Sequence, residues 1–163
     1  VVTVRPGGIE QIYRDQYAGL VRLGWSLTGS RRAGEDVVQD VFARAQRDWI
    51  LLAEHENVDA WLRRSVINAC HSRWRRVRTE AAYLARRRVE IPVELDPAVG
   101  EVWAAVRQLS PRQREVIALV YVDDLSLTGA ATVLGCGAET VRTHHRRALE
   151  RLARLLGEEG AFA

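Results

Sequence analysis

The chain has 163 residues, room for one compact domain or two small ones of about 70–80 residues each. With 47% hydrophobic and 28% charged residues, a packed core is expected and wholesale disorder is excluded, and no apolar run reaches the ~18 residues that a membrane-crossing helix needs. The net charge of +3 hides a strong imbalance: residues 63–88 hold nine Arg against one acid, and residues 89–125 hold three Arg against seven acids. All 24 basic residues are Arg, a bias that GC-rich coding alone can produce, although the planar guanidinium also suits phosphate. The concentrated basic stretch points to a polyanion, and the acidic stretch after it reads as a linker.

Cys70 and Cys136 cannot make a disulfide framework, so a reducing, cytoplasmic setting is expected. Val1–Gly8 lacks the blocks of a secretory signal, and direct membrane insertion is not expected. Cys70-His71, and Cys136 with His144 and His145, lack paired-ligand spacing, so no metal or other cofactor is expected.

Helical periodicity runs through the whole chain, and strand signals are nearly absent. A first helix is predicted from about Ile9 to Leu27, broken by Thr28-Gly29-Ser30. A second runs from Gly34 to about Leu52, with Glu35 and Asp36 in its first turn and an apolar stripe of Val37, Val38, Val41, Phe42, Ala45 and Trp49. The third starts after Asn57 or Asp59 and ends near Arg78. Leu62, Val66, Ile67, Cys70, Trp74 and Val77 share one side of it, with Arg64, Asn68, His71 and Arg75 opposite and Trp61 and Ser72 flanking. Residues 79–98, with Pro92 and Pro97 among alternating charges, read as an interdomain linker. A short helix over Gly100–Gln108 follows, then one opened by Ser110-Pro111 as N-cap and first-turn proline. Ser126 caps a helix to about Leu134, Gly135-Cys136-Gly137 make a turn, and the last helix spans Ala138 to Leu156. Its stripe is Val141, His145, Ala148, Leu149, Leu152 and Leu156, with Thr143, Arg146, Arg147 and Arg154 turned away and Arg142 on the flank. The fold class is therefore all-α: helical domains at 9–78 and 99–157, joined by a flexible linker.

Two faces could carry function. A short helix, a glycine turn and a second helix with outward Arg and Thr near its start is what base reading in a major groove requires. An ordinary three-helix packing motif with a solvated arginine face has the same pattern, so both readings stand on these residues alone. On the third helix, an indole among arginines and an amide suits unpaired DNA. The bland alternative is that Trp61 packs in the core and the arginines are solvated. Glu35 and Asp36 read more simply as helix-start charges than as catalytic acids. No phosphate loop, nucleophile elbow or His-bearing metal motif is present, so no enzyme activity is expected.

Four stretches in register carry a family resemblance: Gly34-Glu-Asp-Val-Val-Gln-Asp-Val-Phe-Ala-Arg-Ala, Ala60-Trp-Leu-Arg-Arg-Ser-Val-Ile-Asn-Ala, Leu109-Ser-Pro-Arg-Gln-Arg-Glu-Val-Ile-Ala-Leu-Val-Tyr and Leu134-Gly-Cys-Gly-Ala-Glu-Thr-Val-Arg-Thr. Together they resemble the extracytoplasmic-function (group 4) sigma factors of bacterial RNA polymerase over about residues 9–156. Ser72-Arg-Trp-Arg-Arg and the absence of Lys look most like the short actinobacterial SigE-type group.

The resemblance implies that Asp36, Val38, Gln39, Asp40 and Phe42 dock on the polymerase clamp helices. Trp61, Arg64, Asn68, His71, Arg75 and Arg76, with the preceding loop Ala53–Val58, would open and read the minus-ten element, Asn68 standing at a base-contacting position. Glu139, Arg142, Thr143, Arg146 and Arg147 would read the minus-thirty-five element, and apolar residues near Val116 to Leu125 would meet the polymerase flap. Core RNA polymerase, promoter DNA and an anti-sigma factor are the implied partners. A helix-turn-helix regulator acting without polymerase is the alternative. Three departures bear on fine preference: Gly129 removes a capping box, His145 stands for an aliphatic residue, and Gly137 for a Ser or Thr cap.

Overall fold

The computed structural model describes residues 8–85 and 101–157, which form eight helices: α1 (Gly8–Thr28), α2 (Arg31–Arg47), α3 (Trp49–Leu52), α4 (Val58–Ala85), α5 (Glu101–Arg107), α6 (Pro111–Tyr121), α7 (Leu127–Leu134) and α8 (Ala138–Leu156). No strand occurs among the described residues.

The N-terminal half is built on a close helix crossing. Gly29, at φ +76°, closes α1, and the Ser30 hydroxyl accepts from the Ala33 amide to start α2, three residues before the expected Gly34. Gly34 instead lies against Gly24 of α1, where an added Cβ would sit 2.7 Å from the Trp25 nitrogen and 3.0 Å from the Gly24 carbonyl carbon. The expected single helix to Leu52 is broken at Asp48 (φ −99°, ψ 16°), whose amide still bonds the Arg44 carbonyl while Trp49 begins α3. Ile50 and Leu51 stand out of that turn, 82% and 75% exposed.

Asn57 Oδ1 accepts from the Ala60 amide at 2.9 Å and opens α4, as expected. Leu62, Val66, Ile67 and Cys70 are buried against α1 and α2. The stripe stops there. Trp74 and Val77, expected on the same buried side, are each 43% exposed, and Arg114 lies over the Trp74 ring at 5.7 Å. The helix also runs on to Ala85, through the start of the expected 79–98 linker, because nothing breaks it before the prolines; residues 86–98 lie outside the described residues.

In the C-terminal half Ser110 and Gln113 form a reciprocal capping box around Pro111, and α5, α6 and α8 meet over Ala105, Val106, Leu109, Ile117, Ala148 and Leu152. The Ser126 hydroxyl accepts from the Gly129 amide at 3.0 Å; Gly135, at φ +62°, ends α7. α8 begins at Gly137 with no side-chain cap.

The two halves are not separate cores. Val116, Ala118, Leu119, Ala130, Ala131, Val133, Leu134 and Val141 join the apolar cluster that α1, α2 and α4 build. Val116, Ala118 and Leu119 are fully buried in that cluster, so the first part of the stretch implied to meet the polymerase flap is covered, while Tyr121 further along is 55% exposed. Periodicity identifies these residues as apolar and inward, but it cannot say which helices cover them.

Candidate nucleic-acid interface

α8 presents one basic face to solvent. The Gly135 turn directs the chain into this helix, and burial of Val141, Ala148 and Leu152 fixes which side points out. Glu139, Arg142, Arg146 and Arg147 are exposed, and Thr143 is half-buried beside them. Arg142 pairs with Glu139 and Arg146 donates to Glu150 at 3.0 Å, both within the helix. Such exposed pairs are worth ~0–1 kcal/mol, so these guanidinium groups can exchange a carboxylate for a phosphate or a guanine edge at little cost. His145 lies at the edge of the apolar stripe, its Nε2 3.1 Å from the Tyr121 hydroxyl with the rings stacked. Burial lowers its pKa and keeps it neutral at pH 7.

The basic face of α4 is placed differently. Asn68 and Arg76 are exposed along a groove between α2 and α4 that Ser65, Ser72, Arg73 and Arg44 also line, together with Asp36 and Asp40 from the expected polymerase-docking set. Arg75 is exposed and donates to the Ser72 hydroxyl at 3.4 Å. The remaining three residues face the C-terminal half. Trp61 is half-buried and packs on the core with part of its ring still accessible. Arg64 donates to the Val133 carbonyl at 3.5 Å and lies against Gly135. His71 Nε2 lies 2.8 Å from Glu115 Oε1, and Arg112 holds the other oxygen of that buried carboxylate at 2.9 Å. An open basic face was expected along the whole of α4; instead α6 and α7 cover part of it.

Sequence reasoning did not single out Arg63, Glu115 and Asp123. Arg63 pairs with Asp123 and also reaches the Asp59 carbonyl at 3.3 Å and Gln16 Oε1 at 3.5 Å. The signal was present in the spacing. Glu115, Leu119 and Asp123 recur every four residues, so the two acids flank a fully buried leucine on one stripe.

Of the residues expected to dock on polymerase, Asp36, Gln39 and Asp40 are exposed on α2. Val38 is fully buried, and its contribution is to the core rather than to a partner. Phe42 is 6% exposed and packs edge-on against Tyr13 at the floor of a groove lined by Ile9, Tyr13, Gln39 and Ala43. The stripe of α2 places both inward at the same spacing that puts Gln39 and Asp40 outward. Cys70 is 1% exposed, and burial pushes its thiol up to about 12, with the opposing pull of Arg73 weaker.

A helix-turn-helix with an open arginine face, and a second helix bearing an amide and arginines, are features of a DNA-binding protein. Comparison with known proteins places it more narrowly. Residues 12–80 match the family described as Sigma-70 region 2, and residues 105–154 match Sigma-70, region 4. The chain is 32% identical over 146 residues to the RNA polymerase sigma-E factor of Streptomyces antibioticus, covering 88% of this chain and 81% of that protein. It is 30% identical over 154 residues to the ECF RNA polymerase sigma factor SigM of Mycobacterium tuberculosis, covering 91% and 76%. The fold is similar to that of the sigma factor RpoE of Bartonella quintana, solved in complex with the anti-sigma factor NepR. There the TM-score is 0.71 and the identity 25%, over 92% of this chain and 99% of that one. CnrH, solved with the cytosolic domain of CnrY, shares the fold at a TM-score of 0.69 and 24% identity, over 93% and 89%. The chain belongs to the extracytoplasmic-function sigma factors of RNA polymerase, and it is of the SigE type.

Proposed function

We propose that the two halves divide promoter recognition: residues 12–80 bind core polymerase and open the minus-ten element, while residues 105–154 read the minus-thirty-five element through α8. Asp36, Gln39 and Asp40 are the docking residues on α2. Asn68 contacts a base of the melted strand, with Arg75 and Arg76 on the backbone and Arg64 and His71 joining them when the halves separate. Glu139, Arg142, Thr143, Arg146 and Arg147 form the duplex-reading face, where a bidentate arginine contributes about 1–3 kcal/mol of base discrimination. The chain acts in the cytoplasm, contributes no catalytic group to RNA synthesis, and is held in check by an anti-sigma factor, a reading supported by the complex of RpoE of Bartonella quintana with the anti-sigma factor NepR.

The observation that carries this reading is the presence of both region matches on one chain, each with a basic helix. A regulator working without polymerase would use only the C-terminal half. Run-off transcription with sigma-free core polymerase on genomic fragments tests it. Addition of the chain should yield transcripts with defined starts, reduced about tenfold or more by Asn68→Ala or Arg142→Ala. Absence of transcripts together with tight duplex binding by the chain alone would favour the simple regulator.

A further inference from the structure

A cavity of about 200 Å³ lies at the seam between the halves, and none of its lining residues belongs to α4 or α8. It is lined by Arg22, Trp25 and Ser26 from α1, by Trp103 and Arg107 from α5, and by Val122 just past α6. Both indoles are half-buried, and most of the wall is apolar. The charged groups are all of one sign. Arg107 Nη1 is sealed from solvent and has no hydrogen-bond acceptor among the described residues, an arrangement that buried donors rarely tolerate. The group lies beside the Gly29 turn, where an added Cβ would stand 3.6 Å from it. Arg114 Nη2 donates to the Arg107 carbonyl at 2.7 Å and holds the end of α5 in place. Burial, and then the neighbouring Arg107 charge, lower the pKa of Arg114, so a second cation stands close by. Arg22 is exposed and makes no hydrogen bond or ion pair among the described residues. Local groups do not answer this charge. The Ser26 hydroxyl spends its proton on the Leu23 carbonyl at 2.7 Å, and Asp123, next after Val122, is paired with Arg63.

We propose that this cavity binds a small aromatic carboxylate, its ring against Trp25 and Trp103 and its carboxylate on Arg107, with Arg22 at the rim. The size fits one ring and its anionic group: an apolar cavity of about 150 Å³ accepts benzene, and the remaining space takes the carboxylate. Indole faces favour a flat ring over an aliphatic body of equal volume. The two oxygens of a carboxylate match the fork of one guanidinium. A phosphate ester brings a further oxygen and more charge, which an apolar wall cannot solvate. A neutral ring would leave the Arg107 charge buried without an anion. The site uses none of the residues assigned to promoter or polymerase, so it stands or falls separately from the sigma-factor reading.

The experiment uses the full-length chain, with benzoate as the anionic probe and benzamide as its neutral counterpart. Binding is followed on the indole N–H signals of the five tryptophans in nitrogen–proton correlation spectra, assigned by single Trp→Phe substitutions. Benzoate should shift the Trp25 and Trp103 signals, saturate below ~10 mM, and leave those of Trp49, Trp61 and Trp74 in place. Benzamide should bind about tenfold more weakly or worse. Arg107→Gln should bring benzoate down to the level of benzamide. Arg151→Gln, which removes an exposed arginine of α8 outside the cavity, should change nothing. No saturable shift, shifts spread over all five indoles, equal affinity for the two probes, or equal losses in the two Arg variants would each overturn the proposal. The comparison of the two probes is made on the wild type, so a poorly folded Arg107→Gln chain leaves it decisive.

Discussion

The arginine-bearing faces of α4 and α8 look alike in sequence: each opposes an apolar stripe, with basic residues recurring at three or four. In the folded chain they differ sharply. Arg142, Arg146 and Arg147 of α8 are exposed and pair at most with acids of their own helix. Arg63, Arg64 and His71 of α4 are engaged by Asp123, Val133 and Glu115 of the other half. Periodicity reports which side of a helix turns away from its own bundle. Whether a second bundle then covers that side is decided by groups far along the chain, here one acid on α6 and one just past its end.

The sharpest way to probe the covered side is Cys70, which also lines a hollow at the seam with Leu27, Trp74, Pro111 and Arg114. The thiolate is the reactive form, and a pKa of about 12 leaves almost none of it at pH 8. Iodoacetamide should therefore label Cys136, which is half-buried, about a hundredfold faster than Cys70 in the native chain. Peptide mapping by mass spectrometry measures the ratio, and equal rates would show that the seam opens freely. The sign of the pH effect follows from the same shift. The unfolded thiol loses its proton near 9.0 and the folded one keeps it to about 12, so Cys70 lowers stability as pH rises through that window. Below pH 9 its contribution is constant.

The next effect in size separates a sheltered pair from an exposed one. Removing both donors, in His71→Ala/Arg112→Ala, leaves the Glu115 carboxylate buried without them and should cost about 3 kcal/mol in urea unfolding. Removing Glu139, the partner of Arg142 on the open face, should cost no more than about 0.5 kcal/mol. If the two losses were equal, the seam would be as wet as the surface of α8, and the contrast between the faces would fail.

Gly135 tests the same boundary from the backbone. Its φ of +62° disfavours any side chain, and a Cβ there would run into the Arg64 guanidinium. Gly135→Ala should lose about 1–2 kcal/mol from the left-handed conformation. Combining it with Arg64→Ala relieves the clash alone, so the double variant should recover only part of the loss. Full recovery would mean that sterics at the seam, not the turn, fix this residue.

The N-caps and the glycine turn are local signals, which is why Asn57, Ser110, Ser126 and Gly135 mark their elements correctly from sequence alone. The stop at Asp48 was not legible, because the apolar spacing continues through Trp49 as if the helix did. The last helix of the first half was foreseen to Arg78 but runs to Ala85, since an arginine-rich segment with no Gly or Pro carries no stop signal. Within the candidate site, Asn68, Arg142 and Arg146 were legible as outward polar residues on amphipathic helices. Val38 is implied by the family resemblance to dock on polymerase, whereas the apolar stripe places it inward, where it is buried. Glu115 and Asp123 were hidden because acids in a charged sequence are normally solvated, and only their four-residue spacing about Leu119 marked them.

The smallest change concerns the open face itself. Gly137 sits at the N-cap of α8 with φ −69° and ψ 147°, an ordinary extended conformation, and makes no side-chain cap. A Cβ there meets nothing nearer than the Thr140 hydroxyl at 4.0 Å, so serine fits without displacement. Its Oγ can accept from the Thr140 amide, the third of the helix, as the Ser110 hydroxyl does from Gln113 in α6. Thr140 cannot return the bond as Gln113 does, so the gain is that of half a box. Gly137→Ser should therefore raise stability by only a few tenths of a kcal/mol, read as a small upward shift in the urea midpoint. The side chains from Glu139 to Arg147 keep their directions, so promoter choice in the run-off assay should not change. A change in promoter choice without a change in midpoint would mean that residue 137 itself meets DNA, extending the open face one turn toward α7.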